Sequence, residues 1–167
     1  MSILFYEPTE KPYGVFSNFY RSPITVDGQT YPTTEHYYQC QKFGGTQEAR
    51  EYAELIRTQT TPMKAKALAT QKIAGGYPWR TALNPFIQEY LEKGVVLRED
   101  WEKVKDNVMR RAIYAKFATN EKLCEILRSS QGHHLVEHTT RDAYWGDGPN
   151  QRGKNMLGRV LMKHDPF

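Results

Sequence analysis

Sulfur, long apolar runs and blocks of like charge are all scarce in this chain. Its 167 residues hold two cysteines, Cys40 and Cys124, and no CxxC pair, which argues against a disulfide framework or a cysteine-based metal site. No apolar stretch approaches the roughly 20 residues that a membrane span needs. The N-terminus lacks a basic flank followed by an apolar run, so no signal peptide is expected. A soluble protein of a reducing compartment, the cytoplasm, with no membrane partner, is the resulting expectation.

Several catalytic signatures are missing too. His36, His133, His134 and His138 form no HExxH or comparable helical pair, so neither a metal nor another cofactor is expected. Neither cysteine has an activating neighbour, and no Ser-His-Asp or Cys-His arrangement can be read. Lysine and arginine exceed aspartate and glutamate by 23 to 19, a net charge of +4. The positive charges are scattered (Arg21, Lys64, Lys66, Arg110, Arg111, Arg152, Lys154, Arg159) rather than gathered in one run. A phosphate-bearing small molecule therefore fits as well as a nucleic acid.

Aromatic residues, in contrast, are plentiful: eleven Tyr, seven Phe and three Trp. Their most informative placement is Thr139-Thr-Arg-Asp-Ala-Tyr-Trp-Gly-Asp-Gly148, where Tyr144 and Trp145 stand between Asp142 and Asp147. Gly146, Gly148 and Pro149 mark a loop, yet a solvated loop rarely places Tyr beside Trp. Aromatic surface close to carboxylates suits a site that stacks a flat ring and acts on the bond beside it. The same pattern also suits a loop that plugs its aromatics into the core and caps helices with its acids.

The chain reads as one mainly helical domain spanning 1–167, α+β with small strands and a hairpin. Residues 3–6 and 24–31 look extended, the latter around an Asp27-Gly28 hairpin turn. Gly14 to Phe19 is a glycine-led aromatic turn. Thr33 or Thr34 caps a helix running to about Phe43, with Glu35, Tyr38, Gln39 and Lys42 on one face. Helices follow at Gln47–Arg57, Met63–Lys72 (capped by Thr61, with Pro62 at N1), Asn84–Lys93, Glu99–Phe117 and Glu121–Ser130. A short strand covers His134–Thr139, and Asn155 caps Met156–Lys163.

The candidate chemistry centres on acids. A carboxylate can orient water and stabilise an oxocarbenium-like transition state when a glycosidic bond is hydrolysed. Glu35, Asp142 and Asp147 lie nearest to aromatic or turn signals. Helix capping, an arginine salt bridge and a turn role are the structural alternatives for Glu35, Asp142 and Asp147 respectively. Lys42 can hold a phosphate or a developing anion, or be an ordinary solvated lysine. Gly153-Lys154-Asn155 is no Walker A loop, but it opens a helix whose free amides suit a phosphate. His36 belongs beside Tyr37 or on a backbone carbonyl, and His138 can orient Asp142 or Glu35. Phe16, Phe19 and Trp101 serve equally well as core or as stacking surface, with Asn18 offering polar atoms between the two phenylalanines.

Taken in order, these segments resemble the YbiA-like, or NADAR, family. The resemblance rests on Phe16-Ser-Asn-Phe19, Tyr31-Pro-Thr-Thr-Glu-His-Tyr-Tyr-Gln-Cys-Gln-Lys-Phe43, Pro62-Met63, and Trp101 with Val104-Lys105 and Val108-Met109. It continues through Ala115-Lys-Phe117, Leu135-Val-Glu-His-Thr139, Asp142-Ala-Tyr-Trp-Gly-Asp-Gly148 and Gly153-Lys-Asn-Met-Leu-Gly158. It implies an N-glycosidase that cleaves a ribose C1–N bond, with Glu35, Trp101 and Asp142 as functional positions and Lys42 and Asp147 beside them. Trp101, Tyr144 or Trp145 would then stack the base, and Lys42, Lys154 or Arg152 would meet phosphate, with Asn155 close by. The family's implied substrates are ADP-ribosylated guanine in nucleic acid and ribosyl-phosphate metabolites, namely phosphoribosylamino-pyrimidine intermediates of riboflavin synthesis. A non-catalytic ADP-ribose-binding module is the alternative of another class. Residues 71–98 look like an insertion relative to short family members. Oligomeric state is not legible.

Overall fold

The computed structural model describes residues 1–70 and 85–163. β1 (Ser2–Phe5) alternates exposed and buried positions, with Ile3 and Phe5 inward. It pairs in parallel with β4 (His134–Glu137), Phe5 opposite Glu137. Parallel pairing requires a crossover, and most of the helical body supplies it. β2 (Ile24–Val26) and β3 (Gln29–Tyr31) form an antiparallel hairpin. Asp27 and Gly28 both adopt positive φ, 52° and 79°, as a two-residue turn of this hand demands.

Among the described residues there are seven α-helices: α1 (Thr34–Cys40), α2 (Gln47–Arg57), α3 (Pro62–Ala69), α4 (Pro85–Glu92), α5 (Trp101–Ala118), α6 (Glu121–Ser129) and α7 (Met156–Lys163). The protein is mainly helical with small strands. The hydroxyls of Thr33, Thr46 and Thr61 accept the amides of His36, Ala49 and Lys64, and the Asn120 side chain accepts that of Leu123. Each such cap contributes about 1 kcal/mol. Among the described residues no helix is long and apolar enough to cross a membrane.

Two local expectations change. α1 stops at Cys40 rather than Phe43, because the Lys42 and Phe43 amides turn back on the carbonyls of Gln39 and Cys40 (3.3 and 3.1 Å), tightening the last turn. α3 is described to Ala69, with Thr70 following it, and Lys72, the expected end, lies outside the described residues. Asn155 does not cap α7 with its side chain. Its Oδ1 accepts the Glu137 amide (3.0 Å) and its Nδ2 donates to the Leu135 carbonyl (2.8 Å), so it staples the loop to β4. Residues 71–84 of the expected insertion lie outside the described residues. The described remainder returns to the core through buried Val95, and Arg98 N donates to the Lys42 carbonyl (3.0 Å).

α1 sits at the centre, packed against α2, α3 and α5, and every one of its seven residues is buried. A helix of sequence Thr-Glu-His-Tyr-Tyr-Gln-Cys survives there because its polar groups are mostly partnered, as burial requires. The Thr34 hydroxyl donates to Asn18 Oδ1 (2.8 Å). His36 Nε2 donates to the Gln59 carbonyl (2.9 Å), while Nδ1 takes the Thr33 hydroxyl (2.8 Å). A carbonyl can only accept, so this arrangement fixes the neutral tautomer with its proton on Nε2, and burial lowers the His36 pKa.

From the other side α5 sends Lys116 inward. Fully buried, its amine donates to the Ser17 carbonyl (2.8 Å), and burial alone lowers its pKa to about 7. The turn so held continues into Asn18, whose carbonyl accepts the Glu35 amide (3.2 Å). The start of α1 is thereby tied to the aromatic turn.

Candidate active site

Glu35 stands in the first turn of α1, buried at 7% exposure. Gln39, one helical turn on, donates Nε2 to its Oε1 at 2.7 Å. Burial raises the Glu35 pKa, the charges of Lys66 and Lys42 and the Gln39 bond oppose that, and Asp142 adds to it. Lys42 follows the same face beyond the end of the helix. Burial lowers its pKa to about 8, against the pull of Glu35. Its Nζ lies 5.6 Å from the Tyr38 ring centroid and 5.8 Å from that of Trp101.

Around these charges stands an aromatic wall. Tyr38 meets Trp101, the first residue of α5, edge-on at 5.0 Å between centroids, and Trp145 at 5.5 Å. The indole Nε1 of Trp145 donates to the Tyr38 hydroxyl (3.0 Å). Trp101 is 5% exposed, so it contributes to core and wall together. Tyr144 packs against Trp145 at 5.1 Å and donates its hydroxyl to Asp106. Two lysines face the Tyr144 ring, Lys105 at 3.8 Å and Lys154 at 5.3 Å.

The loop between β4 and α7 owes its shape to its backbone. Asp142 Oδ1 accepts the amides of Tyr144 and Trp145, both at 2.8 Å, an Asx-type turn rather than an arginine salt bridge. Gly146 passes so close to β4 that a Cβ there would lie 2.7 Å from the Glu137 carbonyl oxygen and 2.5 Å from the Thr139 side chain. The amides of Gly153, Lys154, Asn155, Met156 and Leu157 donate to the carbonyls of Asp147, Ala143, Gly146, Tyr144 and Trp145. This corrects the expectation of a phosphate seat on the free amides at Gly153–Asn155, since the loop itself occupies those donors. Lys154 can offer only its exposed side chain.

Asp147 and Asn155, both buried, shape the loop. Asp147 Oδ1 accepts the Thr139 amide (2.9 Å) and Oδ2 accepts His138 Nδ1 (2.7 Å). Burial works to raise its pKa, but these bonds outweigh burial and hold it below the usual carboxylate range. His138 thus orients Asp147, not Asp142 or Glu35. Phe16 is fully buried against Phe5, Tyr13 and Phe117, which places it in the core. Asn18 spends its side chain on Thr34 and Met109. Phe19 is half-buried, and Lys66 Nζ lies 5.9 Å from its ring centroid.

One acid in this cluster was not singled out from the sequence. Glu137, the last residue of β4, shares a strand face with buried Leu135, because side chains two apart point the same way. An acid on the core-facing side of a strand is the signal that would have found it. Burial pushes its pKa up to about 8, the charges of Asp142 and Glu35 add to this, and Lys66 opposes it. Solvent still reaches part of the residue, which moderates the shift. Glu35, Asp142 and Glu137 therefore share one neighbourhood, with Lys42 and Lys66 as cations. Among the described residues no three acids, histidines or cysteines form a metal-holding group.

The NADAR domain family model matches residues 4–164. The N-glycosidase YbiA of Shigella flexneri is 41% identical over 97% of this chain and 86% of its own length. A riboflavin biosynthesis protein of Vibrio vulnificus is 34% identical over 96% of this chain, which covers 36% of that longer protein. The NMR structure of YbiA from E. coli superposes with a TM-score of 0.72 at 40% identity, covering 98% of this chain and 83% of that one. The chain belongs to the NADAR domain family and is an N-glycoside hydrolase.

Proposed function

We propose that this N-glycosidase hydrolyses the ribose C1–N bond of an ADP-ribosylated guanine base. The observation that carries the reading is the meeting of three acids, Glu35, Asp142 and Glu137, with the Tyr38–Trp101–Trp145 wall. As the C1–N bond breaks, positive charge grows on the ribose ring. Fixed carboxylates at Glu35 and Asp142 stabilise it and direct water to C1, and preorganised charge of this kind is often the largest catalytic contribution. Tyr144 and Trp145 offer flat surface for a base.

Two further features support a substrate with a sugar and more than one phosphate. Gln39 keeps its Oε1 buried without a partner among the described residues, an acceptor suited to a sugar hydroxyl or an amine. Cationic side chains lie over aromatic rings of the cluster, Lys66 beside Phe19 and Lys105 and Lys154 over Tyr144. Asp147 and Asn155 serve this chemistry by holding the loop.

The test is incubation of the purified protein with a guanine-ADP-ribosylated oligonucleotide, with free ADP-ribose read by mass spectrometry. Release by wild type, lost in Glu35→Gln and Asp142→Asn, is the expected result. A second reading, hydrolysis of phosphoribosylamino-pyrimidine intermediates, is favoured by the name of the Vibrio relative. Ribose 5-phosphate from such a substrate, with no release of ADP-ribose, would select it. Full turnover in both variants would remove the carboxylate assignment.

A further inference from the structure

We infer that Glu137 is the group that protonates the departing nitrogen, a role that rests on the N-glycosidase reading above. Of the three acids, two are held by donors: Gln39 Nε2 on Glu35, and the amides of Tyr144 and Trp145 on Asp142. Donors of this kind favour the ionised form, at Glu35 in opposition to the burial that raises its pKa. Glu137 receives none from the described residues, and only burial and neighbouring charges act on it.

Its main chain, by contrast, is fixed on every side. The amide donates to Asn155 Oδ1 and the carbonyl accepts the Asp147 amide, both at 3.0 Å. β1 pairs alongside, and Gly146 packs against the carbonyl. A proton donor needs this combination: a carboxyl group that stays in place while its proton is promised to no protein acceptor.

The charged groups facing Glu137 are Glu35 from α1, Asp142 and Asp147 from the loop and Lys66 from α3. With Lys42 as a second cation beside Glu35, the acids still outnumber the lysines around Glu137, which favours its protonated form, and like charges in one neighbourhood resist full ionisation. In the reaction the C1–N bond breaks with its electron pair on nitrogen, and the Glu137 proton forms the new N–H bond. Water adds its oxygen to C1 and yields a proton to the Glu35–Asp142 pair. Exchange with solvent returns a proton to Glu137. The products are a C1 hydroxyl and a free N–H base.

The experiment compares wild type, Glu137→Gln and Glu137→Asp on both ribosyl substrates, with kcat and KM measured on either side of pH 8 and folding checked by thermal melting. Wild-type kcat/KM is expected to fall as pH rises through about 8, because the donor of the free enzyme loses its proton. In Glu137→Gln, kcat drops by ~10²–10⁴-fold with KM little changed, and the alkaline fall disappears. Glu137→Asp keeps the fall at a lower rate, and it carries the test should the Gln variant not fold. A folded Glu137→Gln protein with wild-type kcat, or with the same alkaline fall, overturns the inference. So does a Glu137→Asp protein at wild-type rate. Failure of wild type itself to cleave either substrate overturns the substrate reading first, and the inference with it.

Discussion

At its N-terminal end β4 borders a cavity of about 530 Å³, lined in part by Leu127, His133, His134, Leu161 and Met162. At its C-terminal end the same strand carries Glu137 into the acid cluster beside Tyr38, Trp101 and Trp145. The hollow is at one end and the acid cluster at the other. The cavity brings together apolar side chains and two histidines, of which His133 leaves Nδ1 without a partner among the described residues. The cleft brings together like charges that resist being charged at once. Space alone does not perturb a carboxylate; crowding with its own kind and removal from water do.

The comparison breaks most sharply on activity. Glu35→Gln and Asp142→Asn are expected to lower kcat by ~10²–10⁴-fold without unfolding the protein. His133→Ala and His134→Ala at the cavity end should leave ribosyl release close to wild type. A matching loss at the cavity end, measured in the same assay, would move the active site there.

Stability sharpens the contrast next. Leu135, 1% exposed between the two ends, anchors both, so Leu135→Ala should cost about 2–5 kcal/mol in denaturant unfolding. Asp147→Ala removes the acceptor for Thr139 and His138 and should cost about 1–3 kcal/mol. Its effect on catalysis should appear as raised KM through a loosened loop.

Lys116 gives a signature confined to pH. Its folded pKa of about 7 lies below the ordinary lysine value of 10.5. Between those values the unfolded chain binds more protons, so this group makes stability rise with pH across that window. Below pH 7 both states are protonated and the full penalty of the buried ammonium remains. Lys116→Met should flatten the slope in parallel thermal melts, with a difference of a few kcal/mol at most across the window. An unchanged slope would mean the amine is not buried as described.

Much of the local structure was legible because it is written in short-range chemistry. Asp27-Gly28 demanded a hairpin turn, Thr61-Pro62 a helix start, and Gln47–Arg57 was recovered at the same bounds. The sequence points to Glu35 and Asp142 through their turns and their family motifs. Glu137 is hard to single out from sequence because its significance depends on which strand face is buried, and a four-residue strand with apolar Leu135 and Val136 on opposite faces gives that little voice. The phosphate seat at Gly153–Asn155 misled for a related reason. Sequence marks a helix start but not who takes its amides.

The sequence by itself determined the caps, turns, helix faces and the ordered motifs of the family, since these follow from propensities within a few residues. Only the tertiary structure decided which acids share a site. Burial, like-charge crowding and competition for hydrogen-bond donors are set by residues far apart in the chain. Glu35 and Glu137 act on each other across the fold, the first placed by the Lys116–Ser17–Asn18 tie at the start of α1 and the second by the parallel β1–β4 pair.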